Sequence, residues 1–140
     1  MASVVIDTNV LVSALIGHGR PRRLVTKLFE EHTIVSSKEM LAELADVLSR
    51  EKFADVRSSQ VDEFLSILLG KSVLVTIREP LKVDARDPDD DMVLSAACEG
   101  KAQYIVSGDN HLLNLKHFRV KIITVREMLE ILSHDRSKRG

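Results

Sequence analysis

Acidic side chains occur at positions in this sequence where they could hold a metal ion. Asp7 follows the β-branched run Val4-Val5-Ile6, and Asp109 follows Tyr104-Ile105-Val106-Ser107 through one glycine. Unbroken apolar runs of this kind are typical of strands buried on both faces. Two further acids lie in predicted helices. Because carboxylates are hard oxygen ligands, such a set selects Mg²⁺ or Mn²⁺ rather than zinc. The four candidate catalytic and metal-binding residues are Asp7, Glu43, Asp91 and Asp109.

The elements that must position these acids alternate along the chain. The apolar patterns predict strands over 4–6, 33–36, 73–77, 104–107 and 120–124. They predict helices over 10–16, 21–31, 38–50, 61–69, 87–99, 112–115 and 125–132. Alternation of this kind predicts a parallel sheet covered by helices on both faces. Since ligands bind beyond the carboxyl ends of parallel strands, Asp7 and Asp109 should share one edge of the sheet.

Glu43 borders the buried face of its predicted helix. It lies about 100° around the helix from Leu44, at the centre of an apolar stripe that includes Met40 and Val47. A carboxylate at that border costs free energy unless something pairs with it. A metal ion could be the partner, and so could a lysine from elsewhere.

The acids at 87–91 have two explanations. Asp87 as N-cap, Pro88 at the first helical position and acids in the first turn are what a helix N-terminus favours. Four acids within five residues also repel one another, which is tolerable if a cation lies among them. Asp91 leads directly into the apolar part of the helix, and we therefore predict it to be the member of this run that binds metal.

The strand-end acids could also cap helices. Asp7 and Asp109 each precede a predicted helix, and Asp is a good N-cap residue. Thr8 could cap the first helix alone and leave Asp7 for another role. Asn9 and Ser107 lie close enough in sequence to donate hydrogen bonds that would orient the carboxylates.

Bulk properties bound the class of protein. The chain has 140 residues, 44% of them hydrophobic, which is enough for one domain with its own core. We expect that domain over residues 1–133, followed by a charged tail at 134–140. The single cysteine, Cys98, allows no internal disulfide and is expected to be a buried filler. No signal peptide or membrane-spanning run is visible, so we expect a cytoplasmic protein with no membrane partner.

Charge and motifs exclude several functions. Twenty basic and twenty-one acidic residues give a net charge of −1, so nucleic-acid binding would need a local patch. Arg20, Arg22 and Arg23 could form one on an RNA backbone, or could be an ordinary charged helix start. The five histidines have no ligand spacing, and each is expected at the surface. Gly17-x-Gly19 lacks the third glycine of a dinucleotide fingerprint, and no P-loop, Ser-His-Asp or Cys-His arrangement is present.

Four segments in this order resemble the PIN domain family over almost the whole chain, from Val4 to about Leu132. They are Asp7-Thr8-Asn9-Val10-Leu11, Leu41-Ala42-Glu43-Leu44, Asp91-Met92-Val93-Leu94-Ser95-Ala96-Ala97 and Val106-Ser107-Gly108-Asp109. The Asp87-Pro88-Asp89-Asp90-Asp91 run and Leu48-Ser49-Arg50, followed by Lys52-Phe53, resemble the prokaryotic branch of VapC-like toxin components.

The resemblance implies a three-layer α/β/α sandwich with a central, mainly parallel five-stranded sheet. It also implies a Mg²⁺- or Mn²⁺-dependent ribonuclease in a toxin–antitoxin pair. The family's four acids fall on Asp7, Glu43, Asp91 and Asp109. Ser107 stands where the family often has threonine. Asp87 and Asp90 are extra acids of this branch, with a supporting role. Partners implied by the family are an RNA substrate, a cognate antitoxin and a second copy of the chain in a homodimer.

Two other classes of function remain as alternatives. A catalytically silent PIN-like module could bind RNA or another protein, although retaining four acids argues against it. A receiver or phosphatase-like domain could use Asp7 as phospho-acceptor. Such a domain would need a lysine at a later strand end, and Ser107-Gly108-Asp109 offers none.

Overall fold

The computed structural model describes residues 2–50, 56, 58–83, 87–115 and 118–139. The strands are β1 (Ser3–Ile6), β2 (Thr33–Ser37), β3 (Ser72–Val75), β4 (Tyr104–Val106) and β5 (Lys121–Ile123). The helices are α1 (Thr8–Ile16), α2 (Arg20–Glu31), α3 (Lys38–Leu48), α4 (Ser58–Lys71), α5 (Pro88–Glu99), α6 (Asn110–Leu113) and α7 (Val125–Arg139).

The five strands form one sheet in the order β3-β2-β1-β4-β5, and every neighbouring pair is parallel. β1 is central, with Val5 opposite Val35 of β2 and Ile105 of β4. Since all the strands run the same way, the carboxyl ends of β1 and β4 meet at one edge. Asp7 and Ser107 immediately follow those two ends.

Side chains alternate between two cores, one on each face of the sheet. Val4 and Ile6 pack into the core formed with α1, α2, α4 and α7, to which α3 contributes Leu44. Val5 points to the other core, which contains the apolar residues of α5 together with Leu112 of α6. The sheet is therefore buried on both faces, and the predicted α/β/α sandwich with a parallel five-stranded sheet is confirmed.

Helix caps follow the sequence pattern. The Ser37 hydroxyl accepts a hydrogen bond from the Met40 backbone N–H at 3.2 Å and so begins α3. Asp87 caps α5 through its side chain, which accepts from the Asp89 N–H at 3.1 Å, and Pro88 occupies the first turn. The predicted helix start at 87–91 is thus present.

Several predicted boundaries differ from the structure. The predicted strand at 73–77 is the shorter β3, an edge strand on which Val73 and Leu74 are largely exposed. The last helix, predicted over 125–132, is longer in the structure, where α7 continues through Arg139. The predicted break at 52–58 lies largely outside the described residues. None of the helices in the described ranges is long and apolar enough to cross a bilayer.

Candidate metal centre

The carboxyl ends of β1 and β4 are joined through a buried hydrogen bond. The Ser107 hydroxyl donates to Oδ2 of Asp7 at 2.7 Å, and Ser107 is completely buried. Asp7 is 9% exposed and occupies the N-cap position of α1, but its side chain makes no capping hydrogen bond. The Asp7 carboxylate is therefore held at the sheet edge by Ser107, as the sequence predicted.

Thr8 connects Glu43 to the same edge. Its Oγ1 donates to Oε2 of Glu43 at 3.2 Å, which places the Glu43 carboxylate beside the start of α1. Glu43 is half-buried on α3, in agreement with its predicted place at the border of the apolar stripe. Asn9, predicted to orient a carboxylate, is exposed on α1.

Asp109 reaches the edge from β4. Its backbone N–H donates to the Ser107 hydroxyl oxygen at 3.0 Å, so Ser107 contacts both strand-end acids. The Asp109 side chain also caps α6, because Oδ1 accepts from the His111 N–H at 2.9 Å. Asp109 therefore caps α6 and also lies beside Asp7.

Asp109 also meets the acids at the start of α5. Asp87, Asp90 and Asp109 each offer a carboxylate oxygen, and these three oxygens lie within 4.8 Å of one another. Two oxygens bound to one Mg²⁺ ion are at most about 4.2 Å apart, since each bond is about 2.1 Å long. Small side-chain rotations would bring the three oxygens onto one ion, so this acidic cluster fits a divalent cation.

Asp91 does not join the acidic cluster, contrary to our prediction. Its Oδ1 accepts a hydrogen bond from the Val83 N–H at 2.9 Å, and it lines a cavity on a neighbouring face of α5. Asp90 stands in the predicted place of Asp91 and is 5% exposed. Helical spacing could have indicated this, because Asp90 is three, four and seven residues from the buried Val93, Leu94 and Ala97.

The face of α5 that carries Asp91 holds a segment that we call the strap, residues 78–83. Ser95 Oγ accepts from the Leu81 N–H at 2.8 Å, and Glu99 Oε1 accepts from the Arg78 N–H at 3.3 Å. Asp91, Ser95 and Glu99 are four residues apart, so they form one row along the helix. Between the strap, α3 and α5 lies a largely apolar cavity of about 530 Å³.

Burial and the neighbouring acids disfavour the ionised forms of Asp7, Asp90 and Glu43 unless a cation is present. Burial raises the pKa of Asp7 above its ordinary value of 3.8; the charges of Asp90 and Asp109 act in the same direction, and the Ser107 hydrogen bond opposes them. Burial also raises the pKa of Asp90, with Asp87 and Asp109 adding to the effect and His111 opposing it. Burial, followed by the charge of Asp89, raises the pKa of Glu43 to about 7.

His111 is a residue of this site that the sequence did not reveal. We expected all five histidines at the surface, and the side chain of His111 is indeed 42% exposed. Its ring Nδ1 nevertheless lies 3.0 Å from Oδ2 of Asp90. The contact crosses from α6 to α5, so no local pattern could have indicated it. His117 lies outside the described residues.

The three arginines of the predicted patch differ in their contacts. Arg22 donates from Nε to the carbonyl of Ala14 at 2.9 Å and from Nη2 to the carbonyl of Leu15 at 2.6 Å. It therefore satisfies the carbonyls at the end of α1, which is a structural role. Arg20 and Arg23 are exposed.

A parallel sheet with an acidic cluster beside the carboxyl ends of its central strands is an α/β arrangement whose carboxylates could hold a divalent cation. The model of the PIN domain family matches residues 3–111. The chain belongs to the PIN domain family.

The chain is also similar to individual proteins. The protein named Uncharacterized protein MJ1680, from Methanocaldococcus jannaschii, is 29% identical over 140 residues, which cover 91% of this chain and 89% of the relative. The crystal structure of VapBC2 from Rickettsia felis bound to a DNA fragment from their promoter contains a chain with the same fold. The match has a TM-score of 0.59 and 18% identity, and covers 87% of this chain and 98% of that one.

Proposed function

We propose that this protein is a divalent-metal-dependent ribonuclease that hydrolyses phosphodiester bonds. The observation that carries the proposal is the acidic cluster, in which oxygens of Asp87, Asp90 and Asp109 lie within 4.8 Å of one another. Asp7 lies beside it, since its carboxylate and the Asp109 N–H share the Ser107 hydroxyl. Membership of the PIN domain family supports the same activity.

Each residue at the edge has a role in this proposal. Asp90 and Asp109 hold Mg²⁺ or Mn²⁺, with Asp87 as a further ligand and Asp7 as the central acid. When bound, the cation supplies the positive charge that activates a water and stabilises the oxygens of the scissile phosphate. Ser107 fixes the direction of the Asp7 carboxylate by its hydrogen bond. Glu43, held by Thr8, orients the attacking water or completes the ligand set.

RNA is the proposed substrate, and Arg20 and Arg23 are the exposed cations that would contact its backbone. We further propose that the chain is the toxin of a toxin–antitoxin pair and acts as a homodimer. The likeness in fold to a chain of VapBC2 supports the antitoxin partner. Asp91 is left out of the metal ligands because its carboxylate accepts a hydrogen bond from the strap.

The proposal is tested by incubating the purified protein with single-stranded RNA and Mn²⁺, alongside an Asp7→Asn variant. We expect cleavage by the wild type, loss of cleavage in EDTA and at least about 100-fold slower cleavage by the variant. An identical rate in the two proteins would contradict the assignment of the site. RNA binding by a wild type that cleaves nothing would favour the catalytically silent module instead.

A further inference from the structure

His111 makes hydrogen bonds to two members of the acidic cluster at once. Its backbone N–H donates to Oδ1 of Asp109 at 2.9 Å, and its ring Nδ1 lies 3.0 Å from Oδ2 of Asp90. An ionised carboxylate can only accept hydrogen bonds, so the ring donates from Nδ1. One residue therefore connects an acid on α5 with an acid that follows β4.

The ring contact opposes a repulsion that would otherwise separate these acids. Asp90 faces the like charges of Asp87 and Asp109, and all three belong to the acidic cluster. Repulsion would turn the Asp90 side chain away from Asp109 unless a donor held it in place. The Nδ1–H of His111 is such a donor, and it reaches Asp90 from the helix that Asp109 caps.

We propose that His111 is a positioning residue, which holds the Asp90 carboxylate beside Asp109 so that both oxygens meet one divalent cation. The inference deepens the proposed function by adding a residue outside the ligand set, and it rests on that function only for the nature of the cation. Partners of metal ligands typically change metal affinity by 10- to 100-fold when they are removed.

The test is titration calorimetry of Mn²⁺ into the full-length protein, without RNA and at one fixed pH. Three variants of His111 distinguish the loss of a donor at the place of Nδ1 from a change in side-chain size. The amide nitrogen of His111→Asn can take the place of Nδ1, whereas that of His111→Gln lies one bond further out and His111→Leu offers no donor. We expect Mn²⁺ affinity to fall about 10- to 100-fold in the Leu and Gln variants and to stay within about threefold in the Asn variant.

His134→Leu, which removes another exposed histidine on a helix, serves as the matched control and should bind Mn²⁺ like the wild type. Thermal unfolding in EDTA verifies that every variant is folded. Wild-type affinity in His111→Leu would overturn the inference, as would an Asn variant as weak as the Leu variant. A wild type that binds Mn²⁺ tightly but cleaves no RNA would defeat the proposed function alone.

Discussion

The first turn of α5 carries three carboxylates, and two of them, Asp90 and Asp91, lie on adjacent faces with different surroundings. Asp90 is buried among other acids, with His111 as its described donor, and its pKa is raised by burial. Asp91 is half-buried and accepts the Val83 N–H, in a row with Ser95 and Glu99 that holds the strap. The acidic face gathers negative charge, whereas the strap face uses its oxygens to satisfy backbone donors.

The difference shows how one helix can separate binding from stability. About 100° of rotation divides consecutive residues, so a single step along α5 moves a carboxylate from the sheet edge to the strap. Carboxylates without backbone donors are costly to bury and become favourable only when a cation arrives. Carboxylates that accept backbone N–H groups contribute to the fold whether or not a cation is present.

The difference between the two faces is tested most directly by neutralising the Asp90 and Asp91 carboxylates in turn. We expect Asp90→Asn to slow Mn²⁺-dependent RNA cleavage by at least about 100-fold, because it removes a charged ligand. Asp91→Asn should stay within about threefold of the wild type, since its amide oxygen can still accept the Val83 N–H. The measurement is the initial cleavage rate of a labelled single-stranded RNA at saturating Mn²⁺. The reverse order of effects would restore Asp91 to the site.

The same two variants can also be compared without RNA, by how much Mn²⁺ stabilises each of them. Mn²⁺ at a hundredfold excess over its Kd should stabilise the wild type and Asp91→Asn by about 2.7 kcal/mol, because the ion binds only the folded chain. Asp90→Asn should gain little from Mn²⁺. In EDTA it should be at least as stable as the wild type, since it lacks one of the repelling charges. Urea unfolding with and without Mn²⁺ measures these differences, and an equal gain in all three proteins would contradict them.

The sequence predicted the layers and the strand-end acids because these depend on local pattern. Val4-Val5-Ile6 and Ile105-Val106 are apolar on both faces, and the residues after them must lie at the sheet edge. The ends of β3 were less predictable. It is an edge strand, so its apolar side chains need not be buried, and composition does not distinguish an edge from a centre.

Within the site, helical spacing locates the acids of α3 and α5, whereas the contact of His111 depends on the tertiary fold. Glu43 was placed correctly at a border because its neighbours form a clear apolar stripe. Asp90 and Asp91 both lead into an apolar helix. The spacing of Asp90 from the buried residues of α5 favours it for the buried face, and the strap, which packs from outside the helix, accounts for the place of Asp91. The His111 ring reaches Asp90 across 21 residues of sequence, so only the tertiary fold reveals it.

A smaller effect is expected from the strap face. Ser95→Ala removes the hydroxyl that accepts the Leu81 N–H at 2.8 Å, and should lower the free energy of unfolding by about 1 kcal/mol. Mn²⁺ affinity should not change, because Ser95 lies outside the acidic cluster. Urea unfolding and amide exchange at Leu81 measure the loss, with faster exchange expected in the variant. A change in Mn²⁺ affinity without any loss of stability would show that the two faces are coupled.

The smallest effect is a dependence of stability on pH that arises at Glu43. Burial and the Asp89 charge raise its pKa from 4.5 to about 7, so between these values the folded chain keeps a proton that the unfolded chain has lost. The folded state then binds more protons, and stability falls as the pH rises through this window. Glu43→Gln cannot titrate, so its stability in EDTA should fall less steeply from pH 4.5 to 7. Partial exposure keeps the difference small, and urea unfolding at several pH values measures it. If the free energy of unfolding changed equally with pH in the two proteins, the Glu43 carboxyl would be well solvated and its pKa would not be raised by burial.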